Sequence, residues 1–494
     1  MSLTFSTMAA LRFGTGLRPG EAPPESVEEM LAQLDAGQRE RLIFPNGGPA
    51  AARQRLSDTV AKLAALKQFN KTVDDVTKRE YRVRFLTELN NLLTRDEHAR
   101  FMQAVDSPYG FNERLAGFWV NHFSVSSRKE DFMRLLVPLY EAEAIRPHMA
   151  GRFADLVKAA VLHPAMLIYL DQVKSVGPGS PQGLKRNTGL NENLGRELLE
   201  LHTLGAGSGY TQDDVRNAAF VLTGMAVDRK TYLARYAPNI AEPGAKIVFG
   251  KSYGGRVRSQ ADVEDLIDDL AATPETRQHI CRKIAAHFIA DAAPAEVVEV
   301  MTSAWKRSDG DLTEVYAAML RHPRSWEEEG RKAKSPLDYI VSGLRALSAQ
   351  KDDLRQLGLP PKAAAEPAGM ADAAMQMEAG ADAAPFNPAA LKLRVNPLTV
   401  LAAARLGQPL WRPPSPAGFD DVFSTWIAGG PLADRIAWAR LAAAKLGGDR
   451  DPRAFLNDIL RDAARQDTID VVSKAPNRRM GIALALASPE FNRR

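Results

Sequence analysis

Apolar residues recur at spacings of three and four through almost every long segment of this chain, as in Leu115, Phe118, Trp119 and His122. That period lays an apolar stripe along one face of a helix and leaves little to build a sheet. It predicts helices or helix pairs over 25–35, 49–67, 72–104, 111–123, 130–173, 191–204 and 211–225. Further helices are expected over 260–271, 274–290, 294–307, 311–321, 335–350, 396–406, 430–446, 451–466 and 476–487. Prolines punctuate them: His163-Pro164, Thr273-Pro274, His322-Pro323 and Ser488-Pro489 each follow an Ala/Leu-rich run. Proline suits a first helical position, where its missing N–H would be unpaired anyway.

Two stretches depart from the period. Lys246-Ile247-Val248-Phe249 follows Glu242-Pro243-Gly244, and with Thr231-Tyr232-Leu233 it predicts a small β-hairpin near 227–253. Residues 361–389, rich in Ala, Met and Pro, are the clearest composition break and are expected to form a flexible insertion. The expected fold is therefore mostly α, a large bundle-like assembly of many helices. A main helical domain would span 1–350, and a C-terminal helical unit at 390–494 would pack on it.

At 494 residues the chain can bury one large core or two to three smaller ones. Its net charge of +4 is spread through interleaved charges with no basic stripe, which argues against a nucleic-acid surface. A single cysteine, Cys281, excludes an internal disulfide framework and reads as a buried helical thiol. Nothing approaches the roughly 20 apolar residues needed to span a bilayer, so no membrane insertion is expected. Met1–Ser6 lacks the basic and apolar regions of a leader, so the expectation is cytoplasmic, with a periplasmic or extracellular location as the alternative.

The densest polar run is Asn191-Glu192-Asn193-Leu194-Gly195-Arg196-Glu197-Leu198-Leu199-Glu200-Leu201-His202-Thr203-Leu204-Gly205. On a regular helix Asn193, Glu197 and Glu200 fall within about 60° of one another. Arg196 is spaced to pair with Glu192 and Glu200. His202 would point about 140° away from Glu197, and in the last turn it would be stabilised as a cation by the helix C-terminus. One reading is a carboxylate pair that ligates a metal or acts as acid and base, oriented by Arg196 and Asn193. The other is a solvated face or a buried network that fixes helix packing.

His122 shares a face with Trp119 and Phe118, which suits a hydrogen-bonded core histidine. His163, before Pro164, reads as a helix-boundary residue. Gly250-Lys251-Ser252 ends like a phosphate loop, but the glycine spacing upstream is wrong and no helix begins at the lysine. Gly205, Gly207 and Gly209 follow a helix rather than a strand, which excludes a dinucleotide fingerprint. They fit a turn between helices, with Thr211 and Asp214 forming a capping box for the next one.

Phe118-Trp119-Val120-Asn121-His122-Phe123, Leu162-His163-Pro164-Ala165-Met166-Leu167, the Asn191–Gly205 run, Tyr210-Thr211-Gln212-Asp213-Asp214-Val215 and Gly407-Gln408-Pro409-Leu410-Trp411-Arg412-Pro413-Pro414 occur in this order. Together they resemble the bacterial family catalogued as domain of unknown function 1800, over almost the whole chain. The resemblance implies a mostly helical protein with no reaction established for the class. It also implies an envelope or extracellular setting and a sulfatase-like protein partner. The chain departs from the family pattern at Phe220 and Met225, where arginine and tryptophan are common. It departs again at Ala241 and Glu242, where a His-Asp pair is common.

The working expectation is that His122, Glu197, Glu200 and either His202 or Asn193 line one pocket. Glu197, Glu200 and His122 would bind a divalent metal, or with Arg196 form the catalytic acid–base groups for hydrolysis or transfer on a polar envelope substrate, with Asn193, Glu192, His202 and His163 in support. The competing expectation is a non-catalytic scaffold that works with the sulfatase-like partner. Carboxylates opening into a pocket with His122 favour the first; carboxylates facing bulk solvent, or fully paired in a closed interior, favour the second.

Overall fold

The computed structural model describes residues 3–186, 189–255, 257–327, 330–356 and 393–494. The insertion expected at 361–389 lies outside the described residues. Helices dominate, and their starts follow the sequence chemistry. The 32-residue helix Asp75–Asp106 begins where the Asp74 side chain accepts the Thr77 N–H. Thr273 caps Pro274–Phe288, and Ser335 with Asp338 forms a capping box on Pro336–Ala346. Each such side chain satisfies backbone donors that a helix start leaves unpaired. The expected box of Thr211 and Asp214 opens Gln212–Leu222. Ser488-Pro489 departs from the proline expectation, since it opens a turn rather than a helix.

The expected hairpin near 227–253 resolves into two small antiparallel pairs. Met225–Val227 pairs with Ala234–Tyr236, and Lys246–Val248 pairs with Lys251–Tyr253. Phe249 and Gly250 make the second turn, both at positive φ, as a tight two-residue hairpin turn requires. Gly250-Lys251-Ser252 is thus a hairpin, not a phosphate loop.

One continuous apolar cluster runs from Ala9 to Phe491. Each fully buried Leu, Phe or Met in it contributes about 1.5–3 kcal/mol. Its centre holds Trp119, Phe123 and Phe153, with Trp119 Nε1 donating to the Tyr316 hydroxyl at 2.7 Å. The C-terminal helices join the same cluster. Gly343 lies where a Cβ would come within 2.4 Å of the Trp438 ring, so only glycine allows that helix crossing. Arg435, fully buried, donates to the Lys334 carbonyl at 2.6 Å and to Asn492 Oδ1 at 3.1 Å.

Three helical segments widen into π turns: Ala9–Phe13, Glu141–Ile145 and Leu198–His202. Such turns bond i to i+5 and commonly sit at functional positions. Each of these carries a polar side chain into the interior: Arg12, Glu141 and His202. No helix among the described residues is long and apolar enough to cross a membrane.

Candidate functional site

The Asn191–Gly205 run begins with an Asn191 turn, whose Oδ1 accepts the Asn193 N–H at 3.0 Å. A short α-helix, Asn193–Glu197, continues directly into the π turn Leu198–His202. Gly195 allows close packing here, because a Cβ would lie 2.8 Å from the Ala219 nitrogen. The π turn leaves the expected separation of His202 from the glutamates in place. It adds a residue to the turn, and His202 enters the core while Glu197 and Glu200 stay half-buried at its edge.

Glu197 and Glu200 are one turn apart, and neither has a basic side chain within 4 Å among the described residues. Burial pushes the Glu197 carboxyl above its ordinary value, and the neighbouring charge of Glu200 pushes it further; Arg196 opposes weakly. Two tyrosines border the pair. Tyr210 lies beside Glu200, and burial together with that carboxylate pushes its hydroxyl above the ordinary value. Burial, reinforced by the charge on Glu197, drives Tyr169 up to about 12. Arg196 reaches Glu192 at 3.4 Å, as expected, but not Glu200. Its other contact is Gln212 Oε1 at 3.1 Å, and Gln212 in turn donates to Glu192 at 2.9 Å. This surface tie draws the guanidinium away from the carboxylate pair, and Asn193 is exposed.

His122 ends the Gly110–His122 helix, fully enclosed. Its Nδ1 lies 2.9 Å from Lys283 Nζ and its Nε2 lies 3.4 Å from the His202 carbonyl. The lysine amine donates to Nδ1, which places the ring proton on Nε2. Burial and then the Lys283 charge push the His122 pKa well below the usual imidazole value. His202 does not become the expected helix-end cation. Burial, with Lys283 nearby, lowers it to about 3, so the ring is neutral. The structure thus brings Glu197 to Glu200 and His122 to His202, as two separate pairs.

His163 stands apart from both. Its Nδ1 caps Pro164–Tyr169 by accepting the Ala165 N–H at 3.1 Å, and its Nε2 lies 3.5 Å from Glu143. The family-pattern departures are packed rather than vacant. Met225 and Ala241 are buried, and Phe220 lies under Arg216 and Lys246 at 5.6 and 5.4 Å. Glu242 accepts the Gly179 N–H at 2.8 Å.

A metal needs donors that converge. Among the described residues no three His, Cys, Asp or Glu side chains could hold an ion. His122 is further disqualified because an ammonium group occupies its Nδ1 lone pair. Of the expected donor set, Glu197 and Glu200 lie together, and His122 has Lys283 at its Nδ1.

Sequence reasoning missed a second layer of polar side chains. His279, Lys283 and His287 form an i, i+4, i+8 stripe on Pro274–Phe288 and face the motif residues. His287 Nδ1 meets Asp421 Oδ2 at 2.6 Å, and Asp421 also takes Arg494 at 2.9 Å. Asn121 Nδ2 donates to the Phe419 carbonyl at 2.9 Å, and its Oδ1 accepts the Phe419 N–H at 2.8 Å. The four-residue spacing of the stripe was a readable signal; the partners, more than 130 residues away in the chain, were not.

No curated protein and no solved structure matches the chain. A family model described as "Protein of unknown function (DUF1800)" matches residues 9–493, and the chain belongs to that family.

Proposed function

We propose that the protein is a carboxylate acid–base enzyme, a hydrolase or transferase for a polar substrate, centred on Glu197 and Glu200. The supporting observation is a pair of half-buried carboxylates without a cationic partner, one of them held above its ordinary pKa by burial and by the other's charge. A raised carboxyl carries its proton closer to neutral pH, where general acid catalysis is most effective. Glu197 is the proton carrier, and Glu200, beside Tyr210, is its electrostatic partner. Arg196 and Asn193 flank the face a substrate would approach. His122 acts from behind as a positioning residue, through its contact with the His202 carbonyl.

The test is turnover of chromogenic carboxylic esters, phosphate esters and glycosides by the wild type, Glu197→Gln and Glu200→Gln. One class should turn over and lose at least about 100-fold in rate in either variant, with unchanged melting. Turnover that survives both substitutions overturns the proposal.

A second reading is a non-catalytic scaffold, for which the resemblance suggests a sulfatase-like partner. It draws support from motif residues with structural tasks: Asn121 clamps Phe419, His163 caps a helix, and Gly195 permits a helix contact. On that reading Glu197→Gln would cost stability rather than activity.

A further inference from the structure

Lys283 is a partly exposed lysine whose one hydrogen bond among the described residues is to His122 Nδ1, at 2.9 Å. No carboxylate among the described residues lies within ion-pair distance of it. The acidic group that acts on it most strongly, Asp421, is already held by His287, Arg494 and Lys332. Two of the ammonium hydrogens are therefore uncommitted.

Around this amine the unsatisfied groups are nitrogen atoms. His202 is fully buried, and neither ring nitrogen has a hydrogen-bond partner among the described residues. His279, one turn before Lys283, has an unpartnered Nε2. The His122 ring centre lies 6.4 Å from that of His202 and 6.5 Å from that of His279. Lys283 depresses all three imidazoles, which places them within its field. Gly205, at φ +92°, brings the backbone so close to His279 that a Cβ would lie 2.7 Å from Nδ1. The result is a group of imidazoles around one ammonium charge, with Lys283 and His279 partly exposed and no carboxylate in ion-pair contact with Lys283 among the described residues.

Unsatisfied buried nitrogens are rare in native proteins, and each calls for a ligand or a role. A cation is the wrong occupant, because an ammonium group stands in the cluster. We propose that Lys283, His279 and His202 bind a tetrahedral oxyanion, a phosphate or sulfate group, with His122 fixing the direction of the Lys283 amine. Charge-assisted bonds from a lysine and from imidazole N–H groups are the recurring means of holding such groups. A tetrahedral anion also offers more acceptor oxygens than a planar carboxylate, which suits donors arriving from three side chains. The proposal does not depend on the Glu197–Glu200 reading, since it concerns other side chains and a binding measurement.

The probe is inorganic phosphate, titrated calorimetrically into the full chain, with sulfate and acetate as parallel arms. Phosphate or sulfate should bind saturably at one site, and acetate at least about tenfold more weakly. Lys283→Met and His279→Gln should each weaken binding at least about tenfold, and Lys283→Arg, which keeps the charge, should weaken it less. His279→Gln is the second variant because its partly exposed ring can be replaced without opening the core. Absence of saturable binding in the millimolar range overturns the proposal. So does binding that is equal in wild type, Lys283→Met and His279→Gln, the mark of an adventitious ion only. Acetate binding as tight as phosphate overturns the tetrahedral assignment.

Discussion

Two acidic groups of this protein lie on helices with π turns beside them, and their surroundings are opposite. Glu113 is enclosed with Glu141, and two guanidinium groups close over them. Arg146 bonds both Glu113 oxygens at 2.7 and 2.8 Å, Arg100 reaches Glu113 and Glu141, and Trp411 Nε1 donates to Glu141 at 2.8 Å. Glu197 and Glu200 have each other, two tyrosines and no cation. Burial pushes the Glu113 carboxyl up, but Arg146 and Arg100 outweigh it and hold it below its ordinary value. With burial and a like charge, Glu197 moves the other way. Glu97 shows how much pairing is needed, since burial keeps it near 6 even with Arg412 as partner. Glu113 and Glu141 each meet two guanidinium groups, whereas Glu197, with no ion-pair partner among the described residues, is left able to hold a proton.

The largest effect should come from opening the closed network. Glu113→Gln leaves Arg146 and Arg100 short of an anion in the interior, and breaking such a pair costs about 3–5 kcal/mol. Urea unfolding measures it; a loss below about 1 kcal/mol would remove the contrast with Glu197. The pH dependence adds a sign. A depressed folded pKa means that Glu113 stabilises above its unfolded value of 4.5 and loses that contribution as pH falls through the folded value.

Next in size is Gly205→Ala, which places a side chain at φ +92° and into His279. It should cost more than about 1 kcal/mol, and it would shift the His279 resonances. A neutral outcome would mean that the turn after His202 can relax. Thr211→Ala should cost about 1 kcal/mol by removing the cap of the helix that carries Gln212. It also loosens the tie that draws Arg196 from the carboxylates. If Arg196 then pairs with Glu200, the raised pKa of Glu197 should fall.

Glu197→Gln should change stability least, within about 0.5 kcal/mol at neutral pH. Its sign is opposite to that of Glu113. A raised folded pKa favours the folded state below 4.5, and that advantage is lost as pH rises through the folded value. The variant should thus gain on the wild type as pH rises across that window, read as the difference between two melting curves.

Much of the fold was legible because helical period and cap chemistry are local. The Thr211–Asp214 box, the Thr273-Pro274 start and buried Cys281 all follow from neighbouring residues. Family membership was legible from ordered motifs. The site was legible only in part. A 3.6-residue period separates His202 from Glu197, as the structure does, but it does not foresee the π turn at Leu198–His202. Nothing local signals it. The closed network and the His279–Lys283–His287 stripe depend on partners far apart in sequence, such as Trp411 on Glu141 and Asp421 on His287. One-dimensional spacing cannot assign such partners. Nor does spacing reveal that Lys283 meets the Nδ1 lone pair that His122 would offer a metal.

The central claim is that Glu197 and Glu200 form an unpaired carboxylate couple, and carboxyl-carbon NMR titration of Glu197 tests it most directly. In the wild type Glu197 should titrate above 4.5, and in Glu200→Gln it should move down toward that value, because a like charge has been removed. A Glu197 that titrates at or below 4.5, or that is unmoved by Glu200→Gln, would contradict the account.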